Sequence, residues 1–313
     1  MPLVLLLLAC GLAANVLLGP LGLGLLQWRV SANGLNQTYG ADAAALALVV
    51  PAALAAAGLW RRAHRLAAPL ALGVGLATLY YAVAETLGGD YLRYAGNNER
   101  FSLLFLGLIV LGWTAAARAW AALDGAPPAP PRRLARGTAA VFALASAVVG
   151  AAWLRQLLGL ALTGAAGPEY LDSPSAFWTI RIVDLGFIVP AALWTAAGLW
   201  RGRAPALKAA YGLAGFLTLQ GAAVLAMGAV MLWRRDPTAS PALVVALSPI
   251  CLALAALTVR LYAAYARKAG PGGLAPSGEG DRRVGTDAPD RSTAGRRSPA
   301  APPDARRYPR WSA

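Results

Sequence analysis

The sequence predicts an all-α protein, a polytopic transmembrane bundle of about eight helices. Three observations carry this. The 313 residues are 58% hydrophobic and only 13% charged, against roughly 25% charged in an average soluble domain. The apolar residues fall in runs near or above the ~20 residues that a helix needs to cross a hydrocarbon core. Those runs are rich in Ala, Leu, Val and Gly, and small residues let helix backbones approach in lipid, where no hydrophobic force drives association.

Taken in order, the first helix is expected over about 3–26, bent or broken near Gly19-Pro20, because a proline removes a backbone donor. The second covers about 41–60, the third 66–87 and the fourth 101–123. The fifth covers about 138–163, the sixth 180–200, the seventh 204–232 and the eighth 241–264. This divides the chain into a four-helix half over 1–123, a Pro/Arg linker over 124–137, a second half over 138–265 and a basic tail over 266–313. The tail is rich in Gly, Pro, Ser, Asp and Arg, cannot bury enough surface to offset ordering entropy, and is expected to be disordered.

Charge sets the orientation. The loops after helices two, four and six, with the helix ends beside them, carry ten Lys or Arg residues, from Arg61 to Lys208. Those after helices one, three, five and seven carry six: Arg29, Arg93, Arg100, Arg181, Arg234 and Arg235. The positive-inside bias makes the even-numbered loops and both termini cytoplasmic, in a cell membrane. Trp60, Trp120 and Trp200 then mark the inner interface, and Trp28, Trp178 and Trp233 the outer. The net charge of +14 lies in short loops and the tail, which points to the lipid bilayer as partner, with anionic lipid at the tail, and not to nucleic acid. Leu7-Leu8-Ala9-Cys10 has the form of a lipobox. No basic segment precedes it and the apolar run continues past it, which favours an intact helix over a cleaved and lipidated Cys10.

Two stretches echo one another. Val50-Pro51-Ala52-Ala53-Leu54 leads to Gly58-Leu59-Trp60-Arg61, and Val189-Pro190-Ala191-Ala192-Leu193 leads to Gly198-Leu199-Trp200-Arg201. Each follows an acid, Asp42 or Asp184, and each precedes a basic loop and another span. The reading is a duplication of four helices, with Pro51 and Pro190 kinking corresponding helices. Chance matching in Ala/Leu-rich helices is the competing explanation.

The second copy, Asp184-Leu185-Gly186-Phe187-Ile188-Val189-Pro190-Ala191, resembles an Asp-Leu-Gly-x-x-x-Pro-Ala helix motif of uncharacterised bacterial multi-pass membrane proteins. The resemblance covers about two helices and implies a bacterial inner membrane. It brings no activity, and the first copy departs from it at Asp42-Ala43-Ala44.

Catalytic, metal and cofactor motifs are missing. Cys10 and Cys251 lie in apolar runs, and the single histidine, His64, lies between Arg62 and Arg65. Neither arrangement offers a metal set or a nucleophile–base pair, so an enzyme is the less favoured class. The polar residues inside the spans remain as the candidate binding site: Asp42, Glu85, Arg155 and Asp184, with Tyr81 and Gln220. Intramembrane ionisable residues face the bundle interior and pair. Arg155 is therefore expected to pair with Glu85 or Asp184 beneath an outward opening. The function this predicts is binding or transport of a small solute or ion. The alternative is a structural or signalling membrane protein with a basic cytoplasmic tail.

Overall fold

The computed structural model describes residues 1–123 and 128–268. It contains eight main helices: α1 (Pro2–Leu18), α2 (Ala32–Arg61), α3 (Ala67–Leu87), α4 (Asn98–Ala122), α5 (Arg132–Thr163), α6 (Pro174–Trp200), α7 (Ala204–Trp233) and α8 (Pro241–Arg267). One further short helix, Pro168–Asp172, precedes α6. There is no strand among the described residues. Helices α2 to α8 are long and apolar enough to cross a membrane, and α1, at 17 residues, is shorter. The chain is an integral, multi-pass membrane protein. Residues 124–127 of the expected linker, and the expected tail from 269 on, lie outside the described residues.

Several boundaries differ from expectation. α1 stops at Leu18 instead of running to residue 26. Gly19 is extended, its N–H bonds Asn15 O, and Pro20 then prevents continuation. The chain folds back so that Leu23 N bonds Leu17 O and Leu26 N bonds Leu18 O. This loop buries Leu26 and Trp28, with Trp28 stacked on Phe105 at 5.3 Å. Trp28 is thus enclosed by its neighbours in the fold. α2 starts nine residues earlier than expected, at Ala32, where Ser31 Oγ accepts from Gly34 N at 3.0 Å. α6 starts at Pro174 instead of 180, and α5 starts at Arg132, inside the expected 124–137 linker. The first turns of α2 and α5 are polar, and hydropathy alone misses them.

α3 is the centre. An 18-residue window of it is 61% buried, and the corresponding windows of the other six long helices are 33% buried or less. It packs on α2, α4 and α7, while α1 packs on α2 and α4, α5 on α6, and α8 on α7. Small residues set the closest contacts. A Cβ on Gly73 would lie 3.0 Å from Gly215 Cα on α7, and one on Gly75 would lie 2.8 Å from Ala116 N on α4. A Cβ on Gly40 of α2 would lie 2.4 Å from the Met227 backbone of α7. Backbones this close leave no room for a methyl group.

α2 and α6 share a local distortion. Each has a five-residue π-helical stretch, Ala45–Val49 and Asp184–Ile188, directly before its Val-Pro pair. Val50 N bonds Ala45 O and Val189 N bonds Asp184 O, each across the widened turn. Pro51 and Pro190 lack an N–H and would clash with the carbonyl one turn back, and an extra residue in the preceding turn relieves that clash.

The two ends of the bundle differ. One carries the loops 62–66 and 201–203. There Lys208 sits over Trp120 at 4.8 Å and Arg136 over Trp200 at 5.5 Å. The other end is a hydrogen-bonded cap. Arg29 holds Glu99 and the Tyr94 carbonyl, and Ser31 donates to Asp172 at 2.6 Å. Ser173 donates to Asp90 at 2.6 Å, and Asn36 donates to Asp236 at 2.7 Å. Burial would raise the Asp236 carboxyl, but hydrogen bonds from Thr238 and Asn36 outweigh it and hold the group below the usual carboxylate range.

Gly40→Ala should force α2 and α7 apart and destabilise by about 1–3 kcal/mol, as overpacking does. Gly58→Ala, where a Cβ meets nothing within 4 Å, should melt like wild type. Thermal unfolding of both variants in detergent checks this.

Candidate functional site

Adjacent helix residues point ~100° apart, and the neighbouring Tyr80 and Tyr81 of α3 therefore serve different partners. The Tyr81 hydroxyl donates to Asp42 Oδ1 on α2 and accepts from Asn15 Nδ2 on α1 at 2.7 Å. The Tyr80 hydroxyl donates to Asp184 Oδ1 on α6 at 3.1 Å, and Trp153 Nε1 of α5 donates to Asp184 Oδ2 at 2.8 Å. Asp42 and Asp184 are not helix-end residues. Each comes ten residues after its helix begins, at Ala32 and Pro174, a depth of ~15 Å at 1.5 Å per residue.

The two acids differ in how well they are satisfied. Both oxygens of Asp184 have donors. Asp42 is fully buried, and its Oδ2 has no hydrogen-bond partner, nor has Oδ1 of the equally buried Asn15. A buried acceptor without a donor costs roughly 1–3 kcal/mol, and more when charged. Gly19 closes over this spot: a Cβ there would lie 3.3 Å from Asp42 Oδ2 and 3.1 Å from Asn15 O. Glu85, half-buried one turn beyond Tyr81, makes no hydrogen bond and acts on Asp42 electrostatically. Tyr81 and Gln220 meet in a cavity of ≈ 20 Å³, lined also by Thr78 and by Ala45 and Val49 of the widened turn. That is room for about one water.

Arg155 departs from expectation. It is exposed and makes no ion pair with Glu85 or Asp184. The described residues contain two ion pairs, Arg29 with Glu99 and Arg181 with Glu169. Arg155 instead lines an open pocket of ≈ 330 Å³ with Gln156, Glu169, Tyr170 and Phe177. The buried cation is Arg181, only 6% exposed. Its guanidinium lies 4.3 Å from the Trp153 ring and 4.1 Å from the Phe177 ring, donates to Gln156 Oε1 and pairs with Glu169. The helix phase of α5 explains the exchange. Trp153 and Gln156 face α6, three residues apart, and Arg155 between them does not.

Sequence reasoning therefore finds Asp42, Asp184, Tyr81 and Gln220 near one another's helices, and misses Asn15, Trp153, Arg181 and Glu169. Two signals were present. Arg181 precedes Asp184 by three residues, hence shares its helix face. Asn15 is the one amide in an otherwise apolar helix. The spacing of the widened turns also revises which residues correspond. Asp42 stands eight residues before Val50, and Arg181 eight residues before Val189, while Asp184 corresponds to Ala45. Among the described residues no group of three or more His, Cys, Asp or Glu could hold a metal ion. No family model, curated protein or solved structure matches the chain.

Tyr81→Phe should cost about 1–3 kcal/mol, because it strips the buried Asp42 of its donor. Tyr80→Phe should cost less, since Trp153 still serves Asp184. Arg155→Ala should stay within ~0.5 kcal/mol of wild type, as exposed positions do. Arg181→Met should destabilise by about 1–3 kcal/mol, because it leaves the half-buried Gln156 Oε1 without its donor. Melting curves of the four purified variants rank these effects.

Proposed function

We propose that this protein binds a small solute or ion, and carries it across the membrane, using the polar groups that converge on α3. The observation that carries the reading is the pair of carboxylates, Asp42 and Asp184, held about 15 Å inside their helices by adjacent tyrosines. Ionisable groups are costly at that depth, and a membrane protein retains them where they bind or relay something. Both sit beside a π-helical stretch followed by proline, the kind of interrupted helix that lines transporter sites. The ≈ 330 Å³ pocket beside Arg155 has the size of a small-molecule site.

The reading includes two further elements. The halves built on α1–α4 and α5–α8 derive from one four-helix unit, whose corresponding helices α2 and α6 have kept the widened turn and the proline. The basic loops face the cytoplasm, so the cap and its pocket face outward. A second reading, a structural protein that moves nothing, draws on the cap, whose hydrogen bonds tie three loops together.

Two measurements test these points. With the native cysteines replaced, a single Cys at Ala95 should react with an impermeant thiol reagent outside intact cells, and one at Ala63 should not; the reverse pattern inverts the topology. Proteoliposomes challenged with gradients of monovalent cations, amino acids and sugars should show charge movement or uptake with wild type, abolished by Asp42→Asn with Asp184→Asn. Silence towards the whole panel would favour the structural reading.

A further inference from the structure

We infer that Asp42, Asn15 and Glu85 form a binding site for a hard monovalent cation of the sodium class. The inference deepens the function proposed above by naming a ligand for its first half, and shares Asp42 with it. It starts from the Tyr81 hydroxyl, which has one proton to give. That proton goes to Asp42 Oδ1, and the Tyr81 hydroxyl oxygen accepts from Asn15 Nδ2. The orientation of the Asn15 amide follows: turned over, its oxygen would need the proton that Asp42 already takes. Asn15 Oδ1 and Asp42 Oδ2 are then both acceptors, both fully buried and both without a donor.

A buried acceptor can be satisfied by a donor or by a cation. None of the donors around this spot is available. Tyr81 gives its one proton to Asp42 Oδ1, and Asn15 Nδ2 donates to Tyr81 and not to Asp42. Gly19 N–H bonds the Asn15 backbone carbonyl. On α3, one turn beyond Tyr81, stands Glu85, another acid, which interacts electrostatically with Asp42. The buried Arg181 is committed to Gln156, Glu169 and two aromatic rings. The site is therefore rich in oxygen acceptors and negative in charge, with no cation of its own.

Oxygen ligands of this kind suit hard cations and not soft ones. The carboxylate supplies charge, the amide a neutral oxygen, and Glu85 lies near enough to add to the field. A divalent ion wants six or more oxygens or a shell of retained waters, and the two unserved oxygens here, Asn15 Oδ1 and Asp42 Oδ2, are buried away from water. Gly19 fits the same reading: a side chain there would press on Asp42 Oδ2.

The test is equilibrium binding of radioactive ²²Na⁺ to the full-length protein in detergent, with no gradient and no transport step. Wild type should bind one sodium ion per chain, displaced by unlabelled Na⁺. Asp42→Asn, which keeps the shape and removes the charge, should abolish binding. Asn15→Ala should weaken it by about tenfold, the worth of one lost ligand. Gly58→Ala, where a Cβ meets nothing within 4 Å, should bind like wild type. Absence of saturable binding to folded wild type across the millimolar range would overturn the inference, as would full binding by Asp42→Asn. So would an infrared carboxylic-acid band that Asp42→Asn removes and Na⁺ leaves unchanged, because the site would then hold a proton. If an unfolded Asp42→Asn gives no result, Asn15→Ala and the wild-type isotherm still decide. Sodium binding without any transport would sustain this inference while the transport reading failed.

Discussion

A carboxylate enclosed between packed helices cannot borrow donors from bulk water, and the arrangement of this bundle follows from supplying them internally. α3 supplies both acids from two consecutive residues. Because consecutive helix positions diverge by ~100°, one helix can serve partners on two sides only from the centre. Its central position in turn needs close neighbours on three flanks. Gly73 against α7 and Gly75 against α4 provide two of them, and Gly40 brings α2 onto α7 beside it. The small-residue contacts and the tyrosine pair are thus one design: the glycines bring α2, α4 and α7 in, and the hydroxyls then reach.

The cap obeys the same rule from the other direction. α2 has 30 residues, ~45 Å of helix at 1.5 Å each, well beyond a hydrocarbon core of about 30 Å. Its first turns therefore stand clear of the lipid, and their side chains are Asn33, Asn36 and Gln37. They are tied to Asp236 and Thr238 of the loop after α7. The loops after α3 and α5 meet through Asp90 and Ser173, and through Tyr94 and Asp172. Polar side chains that would fray a helix end in water here hold neighbouring helices in register.

What the sequence revealed, and what it did not, follows from the kind of signal each feature leaves. Apolar runs set the number and order of helices, because a span is a property of twenty residues at once. They failed at Ala32 and Arg132, where the helix continues as polar turns, at Pro174, and at Leu18, where an apolar stretch continues as a loop around Trp28. Helix starts at 41 and 180 put Asp42 and Asp184 within the first five residues of their helices, whereas starts at Ala32 and Pro174 put each ten residues in. The acids themselves were legible, since a charge in a span is conspicuous. The partner of the pair was not. Arg155 and Arg181 are both cations near apolar segments, and only the packing of α5 on α6 decides which one is enclosed. A helix phase can be read from a sequence, but the face that a neighbour covers cannot.

The register of the two widened turns gives the asymmetry its sharpest form. Eight residues before one Val-Pro pair stands Asp42, and eight before the other stands Arg181. At comparable depth α6 carries a guanidinium with two polar or charged partners and two aromatic faces, and α2 carries a carboxylate with a single donor. Arginine offers five N–H groups and stacks on rings, so it can be enclosed with every donor directed at something. A carboxylate has nothing to donate, and an amide, a phenol and a second acid are the groups that surround it. Two helices that share a widened turn and a proline thus reach opposite ends: α6 closed around its own charge, α2 with acceptors to spare. If binding takes place in this protein, the chemistry of the side chains puts it in the first half, beside α1, where the bundle has left its oxygens unserved.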